Sequence, residues 1–244
     1  MLGFALLLPA VGGCTANLTD VPGSSVLTVT PAQLCPGTGN ERENAEELVA
    51  CLATDVSSYW TSAVGESVEA PVDVDPIPVA VPPDCRAFLA FGTAFYCTVD
   101  ATVYITDALM DLYSAEFGTA LPYALAFLMG HEIGHVTQYT VGQPEVNIAE
   151  PTDSDLRARE QQADCLAGVW VTHAARAGRV NAGRFRAVAE RELSIISQLE
   201  PPPGVGLDDY DEIATHGTLD ERMAAYDKGV AGGDGNACGL IGVD

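Results

Sequence analysis

Residues 120–139, ALPYALAFLMGHEIGHVTQY, constrain the fold more than any other stretch of this 244-residue chain. The run is apolar on most faces at helical spacing. A helix apolar all round belongs inside a protein, so this one is expected at the buried centre of a domain. Pro122 falls in its first turn, where proline is tolerated. Gly142 and Pro144 mark its end. Its polar residues gather in the C-terminal half, in the segment HEIGH.

His131 and His135 are two of only four histidines in the chain. Positions four apart share a helix face, so both imidazoles can aim at one point. Glu132 projects in a neighbouring direction. The pattern H-E-x-x-H on a helix can supply two zinc ligands and a general base. A working site needs a third protein ligand, and three routes can be compared. The metzincin pattern requires glycine three residues after His135 and histidine six after it; Gln138 and Val141 stand there and exclude it. A third histidine would be His173 or His216. A glutamate from a following helix, in the pattern E-x-x-x-D, would be Glu160, with Asp164 one turn on, in EQQAD. Glu160 can coordinate a metal, while Asp164 can accept the remaining ring N–H of a ligating histidine and fix its tautomer. Ala163, Ala167 and Gly168 are small enough to let that helix approach the HEIGH helix. The plainer reading pairs Glu160 with Arg157 or Arg159 on a solvated helix face.

The other elements read as follows. Residues 43–60 are helical, with Leu48, Cys51, Leu52, Val56, Tyr59 and Trp60 on one broad face. Residues 77–81 form a proline-punctuated extended segment suited to a sheet edge. Residues 94–98 and 101–106 are β-prone and make a hairpin through Val99 and Asp100. Helices follow over 107–117, 154–177 with Asp153 or Ser154 as cap, 181–199 with Asn181 as cap, and 219–228. Thr218 and Glu221 have capping-box spacing at the last of these. The fold class is α+β, mainly helical, with a small sheet beside the central helix.

Net charge is −23, and Lys228 is the only lysine. So negative a surface repels nucleic acid and anionic lipid, excluding both as partners. The acidic stretches DVDP and DDYDE lack the spacing of a calcium loop and read as solvated loops. At the N-terminus, residues 2–11 are apolar but too short to span a bilayer, matching the core of a secretory signal. The following VGGC resembles a lipoprotein lipobox, which makes Cys14 the expected lipidation site, although the usual basic residues are missing. Six further cysteines suit three disulfides in an oxidising compartment. Fifteen connectivities are open. Proximity favours Cys35–Cys51 and Cys85–Cys97, leaving Cys165–Cys238. The chain therefore divides into a signal over 1–14, a tether over 15–42 rich in Thr, Ser, Pro and Gly, and a domain over 43–244.

Four blocks in order resemble the bacterial neutral zinc metallopeptidase family: YCTVDATVYI (96–105), HEIGHVTQ (131–138), REQQADCLAGVW (159–170) and HGTLDER (216–222). The third is the most specific. The resemblance implies a zincin-like, gluzincin-type metallopeptidase domain with one catalytic Zn²⁺ held by His131, His135 and Glu160, and with Asp164 supporting a ligand. Glu132 is then the general base for peptide hydrolysis. The chain departs from the family at Val136, where a histidine is common, and in ELSIISQLE, where an Ile-Gly-Asp-Asp element is usual. Cys35 and Cys51 are additions. Residues 103–106 are expected to bind substrate by strand addition. His216 is either a catalytic donor to the oxyanion or a structural residue fixing the turn before the last helix, and a cap-adjacent turn favours the latter. Arg222 is expected to pair with a nearby acid, and His173 to be an ordinary surface histidine. Tyr139 and Tyr96 are weaker candidates for a donor.

The function expected is a secreted or lipid-anchored zinc endopeptidase. It would be a monomer in the bacterial cell envelope, acting on a peptide or protein and touching membrane only through the anchor. The alternative is a zinc-stabilised envelope lipoprotein acting as a binding or assembly module. An intact Glu132 argues against it, because a structural zinc site needs no base and closes with four protein ligands.

Overall fold

The computed structural model of the chain describes residues 34–35, 44–89, 93–142, 152–198 and 215–240. The signal, lipidation site and most of the tether lie outside the described residues. Within them, no helix is long and apolar enough to cross a membrane.

The architecture is mainly helical with one small sheet. Helix α1 (Ala45–Val64) buries Leu48, Leu52, Val56 and Trp60, four turns of one face, and leaves Cys51 and Tyr59 half-buried. Strand β1 is Val72–Val74, and a one-turn helix α2 (Arg86–Leu89) follows. Strands β2 (Ala94–Cys97) and β3 (Thr102–Ile105) form the expected hairpin. Helices α3 (Asp107–Phe117), α4 (Leu121–Val141), α5 (Asp153–Arg176), α6 (Ala182–Ile196) and α7 (Leu219–Gly232) complete the fold. Asn181 caps α6 by accepting from the Arg184 amide, and Thr218 with Glu221 closes a capping box on α7. Helix α5 is capped one residue earlier than its sequence suggested: Thr152 forms a capping box with Asp155.

Helix α4 is the buried centre. It packs against α1, α5 and α6, and it is buried on every side through its HEIGH segment except at the half-buried His135. Two glycines let α5 come close. A Cβ added at Gly130 would lie 3.1 Å from Ala167 Cβ, and one at Gly134 would lie 3.2 Å from Ala163 Cα. Gly168 does not serve this contact, as its sequence position suggested. It faces α7, where an added Cβ would overlap the Tyr226 carbonyl.

The sheet order is β1-β3-β2, with β1 parallel and β2 antiparallel to β3. Two sequence expectations change here. The proline-rich residues 77–81 are a turn, closed by an Ala80 N–H bond to the Ile77 carbonyl, rather than an extended edge. Pro76, Pro78, Pro82 and Pro83 remove the donors a ladder needs, and the strand forms just upstream. Residues 103–105 lie in the middle strand, hydrogen-bonded on both sides. They therefore offer no edge for strand addition; among the described residues, the edges belong to β1 and β2.

Three disulfides join Cys35 to Cys51, Cys85 to Cys97 and Cys165 to Cys238. The first ties the segment before α1 to its second turn. The second staples a satellite core of Val81, Phe95 and Tyr104. The third ties α5 to the 3-10 turn Gly235–Cys238 beyond α7.

Candidate metal centre

The site grows from α4 outward. His131 and His135 lie on one face, and their rings meet edge to face with Nε2 atoms 3.1 Å apart. From α5, Glu160 places Oε2 3.1 Å from His131 Nε2 and Oε1 3.3 Å from His135 Nε2. One donor atom from each of His131, His135 and Glu160 lies within 4.8 Å of the others.

The hydrogen-bond partners behind the rings decide what faces inward. His131 Nδ1 is 2.9 Å from Asp164 Oδ1. Asp164 is fully buried and is gripped by two bonds from Arg222 of α7, Nε to Oδ2 at 2.8 Å and Nη2 to Oδ1 at 2.9 Å. Burial opposes its charge, yet Arg222 and His131 hold the Asp164 carboxyl below its usual range. An ionised carboxylate can only accept, so His131 carries its proton on Nδ1. His135 Nδ1 is 2.8 Å from Gln138 Oε1, which likewise accepts. Both Nε2 lone pairs then point at each other and at an anionic oxygen.

Such a contact calls for a cation. Zinc bonds of 2.0–2.2 Å at tetrahedral angles place neighbouring ligand atoms about 3.3–3.5 Å apart, close to the spacings here. The donor set of two imidazoles and a carboxylate suits zinc. Burial also opposes ionisation of Glu160, but the imidazoles of His135, His216 and His131 hold its carboxyl well below the usual range. Without a cation, a proton takes the central place. Burial disfavours it, yet Asp164 and Glu160 raise His131 to about 10.

Glu132 is buried beside this centre, and its Oε2 has no hydrogen-bond partner among the described residues. Burial pushes its carboxyl above the ordinary range, and His131 and His135 oppose that. His216 reaches in from the turn before α7. Its Nε2 is 3.6 Å from Glu160 Oε2, and its Nδ1 meets Thr215 Oγ1 at 2.9 Å. Gly217 makes this approach possible: its φ is +94°, and an added Cβ would lie 2.8 Å from Gln161 Nε2 on α5. The geometry accommodates both roles weighed for His216: its Nε2 side faces Glu160, and its Nδ1 side makes a local contact with Thr215.

The remaining candidates lie elsewhere. His173 is exposed and stacks on Tyr59 at 4.7 Å. Tyr96 of β2 and Tyr139 of α4 pack edge to face at 6.0 Å, with Tyr139 exposed. Gln138 has a place that its sequence reading did not give it. It closes the block HEIGHVTQ that resembles the family, and its spacing of three from His135 puts it on the same helix face. Behind the centre, Tyr113 of α3 donates to Glu192 of α6 at 2.7 Å, both fully buried.

A buried H-E-x-x-H helix completed by a glutamate one helix later defines a mainly helical, zincin-like metallopeptidase domain. The sequence matches the family described as "Putative neutral zinc metallopeptidase" over residues 14–241, and the chain belongs to that family. It is 30% identical to the uncharacterised protein YpfJ of Escherichia coli K12 over 172 residues, 65% of this chain and 57% of that protein. It is 29% identical over 157 residues to the uncharacterised proteins Mb2605 of Mycobacterium bovis and Rv2575 of Mycobacterium tuberculosis, covering 59% of this chain and 53% of each. The chain thus matches little more than half the length of these relatives. No solved structure matches it.

Proposed function

We propose that the protein is a zinc-dependent endopeptidase with His131, His135 and Glu160 as ligands and Glu132 as general base. The observation that carries this reading is the convergence of three lone-pair donors beside a buried glutamate whose Oε2 has no partner among the described residues. When bound, zinc supplies Lewis-acid activation of water and of a peptide carbonyl. Glu132 takes the proton of the attacking water at Oε2 and returns it to the leaving amine. A carboxyl raised by burial suits both halves of that exchange. His216 donates from Nε2 to the carbonyl oxygen as negative charge builds there.

Substrate adds as a strand to the outer edge of β2. That strand packs on α4, and its Tyr96 meets Tyr139, one turn past His135. Three disulfides favour an extracytoplasmic location. Lipid attachment at Cys14 is part of the same proposal.

Two variants test the reading, with zinc content and cleavage of casein or a peptide library as readouts. Glu132→Gln is expected to keep zinc and lose cleavage, while Glu160→Ala loses both. Wild-type protein that holds zinc yet cleaves nothing in a broad library would favour the binding-module alternative. Glu160→Ala retaining zinc as tightly as wild type would remove Glu160 from the ligand set.

A further inference from the structure

The histidines of the centre are supported in different ways. His131 leans on a charged pair, Asp164 and Arg222, whereas His135 leans on an uncharged amide. That amide, Gln138, is 1% exposed, so its donors and acceptor must find partners inside the protein. Its Nε2 donates to the Arg159 carbonyl at 2.8 Å and to Gln162 Oε1 at 3.0 Å. Gln162 Nε2 donates in turn to the Cys238 carbonyl at 3.0 Å.

The direction of this chain is fixed at its far end. A backbone carbonyl can only accept, so the Cys238 oxygen sets the orientation of the Gln162 amide. The Gln162 oxygen then faces Gln138, and the Arg159 carbonyl independently sets the same orientation there. The Gln138 oxygen is left facing His135, whose Nδ1 must donate. Every bond runs the same way, from His135 to Gln138 to Gln162 to Cys238, and aligned bonds polarise one another. The last acceptor is held in place covalently, because Cys238 is disulfide-bonded to Cys165, three residues beyond Gln162 on α5.

We propose that Gln138 and Gln162 are positioning residues for the His135 ligand, and that zinc retention depends on the Cys165–Cys238 disulfide that anchors their relay. The proposal rests on the zinc-site reading above and deepens it. The relay holds the His135 ring at its angle and keeps Nε2 bare. Cut at any link, the ring can rotate or exchange its proton between nitrogens, and the centre loses one of its three ligands for part of the time.

The test measures zinc affinity by competition with a chromogenic chelator. Its second readout is the visible absorption of the cobalt-substituted protein, which reports coordination geometry. Folding is followed by circular dichroism. Gln138→Leu and Gln162→Leu are each expected to weaken zinc about 10–100-fold and to alter the cobalt spectrum, the usual scale for a partner of a ligating histidine. Gln138→Glu keeps an acceptor for the ring but sets its second oxygen against the Arg159 carbonyl and Gln162 Oε1, so it cuts the relay and is expected to stay below wild-type affinity. The Cys165→Ser, Cys238→Ser pair is expected to weaken zinc in the same range while the helical spectrum persists. Half-buried Gln162 supplies the test should Gln138→Leu fail to fold.

Folded glutamine variants with wild-type affinity and an unchanged cobalt spectrum would overturn the positioning role. Wild-type affinity in the cysteine pair would overturn the dependence on the disulfide. Either result could stand beside full peptide cleavage, leaving the peptidase reading intact. Conversely, zinc binding without cleavage sinks the peptidase reading and leaves the relay to be judged on affinity alone. Wild-type protein that binds no zinc overturns both.

Discussion

The segment REQQADC at 159–165 uses every residue toward the centre. Arg159 gives its carbonyl to Gln138, Glu160 faces both imidazoles, and Gln161 lies against the Gly217 turn. Gln162 continues the relay, Ala163 admits Gly134, Asp164 holds His131, and Cys165 carries the disulfide. Helical spacing puts Glu160 and Asp164 on one face but equally allows a solvated pair with Arg157 or Arg159; the resemblance of residues 159–170 to the family block is what singles them out. Arg222, 58 residues beyond Asp164, was legible only as a residue in need of an acid, since nothing local selects its partner. Three predictions belong at this scale. Zinc uptake at pH 7 should release about one proton from His131, which holds a proton up to about 10 when no cation is present. Calorimetry in buffers of different ionisation heat measures that number, and zero would contradict it. Asp164→Ala should cost about 3–5 kcal/mol in denaturant unfolding, since it breaks a buried ion pair and leaves a buried charge. A loss below about 1 kcal/mol would show that Asp164 does not balance Arg222. His216→Ala should lower kcat about 10²–10³-fold with zinc content unchanged; equal loss of zinc would make His216 a ligand instead.

Among the elements, helices were more legible than strands. The central helix announces itself through an apolar run that only burial satisfies, and α3 matches its expected bounds. The strands are three or four residues each, too short for alternation to stand out, so the sequence points to 77–81 among the prolines whereas β1 forms upstream of Pro76. Which face of a helix meets which neighbour is a tertiary matter, and Gly168 illustrates it. The crossing of α5 and α7 is the closest approach at which sequence offers no periodic signal. A Cβ at Gly229 would overlap the Cys165 carbonyl, whereas one at Gly183 in the first turn of α6 would meet only Asn181 Oδ1 at 3.6 Å. Gly229→Ala should therefore destabilise by about 1–3 kcal/mol or more, and Gly183→Ala should be neutral or gain up to about 1 kcal/mol. Thermal melts of the two variants check the contrast, and equal shifts would mean that the crossing has room to spare.

For the molecule as a whole, the buried Tyr113–Glu192 pair links α3 to α6 across 79 residues behind the candidate metal centre. Burial raises the Glu192 carboxyl well above its ordinary range, although Tyr113, His131 and Arg222 pull the other way. The folded protein therefore keeps a proton that the unfolded chain releases above its ordinary carboxyl range. Stability from this group is undiminished at acid pH and falls as pH rises past about 4.5, until the folded group itself ionises. Glu192→Gln removes the dependence. Its melting temperature should pull ahead of wild type from pH 5 to pH 8, by roughly 2–4 °C per kcal/mol, and the gap should close near pH 4. A constant gap across that range would mean that Glu192 is ionised in the folded state. The sheet carries a different consequence, one for the order of assembly. Strands β2 and β3 are joined by a tight turn, but β1 pairs with β3 in parallel, across a connection that contains β2 itself. The hairpin can close locally, whereas β1 must wait until the edge of β3 exists, at the greater entropic cost of a longer loop. Truncating Val72 or Val74 should then speed unfolding and leave the refolding rate nearly untouched, making β1 the last strand recruited and the first released.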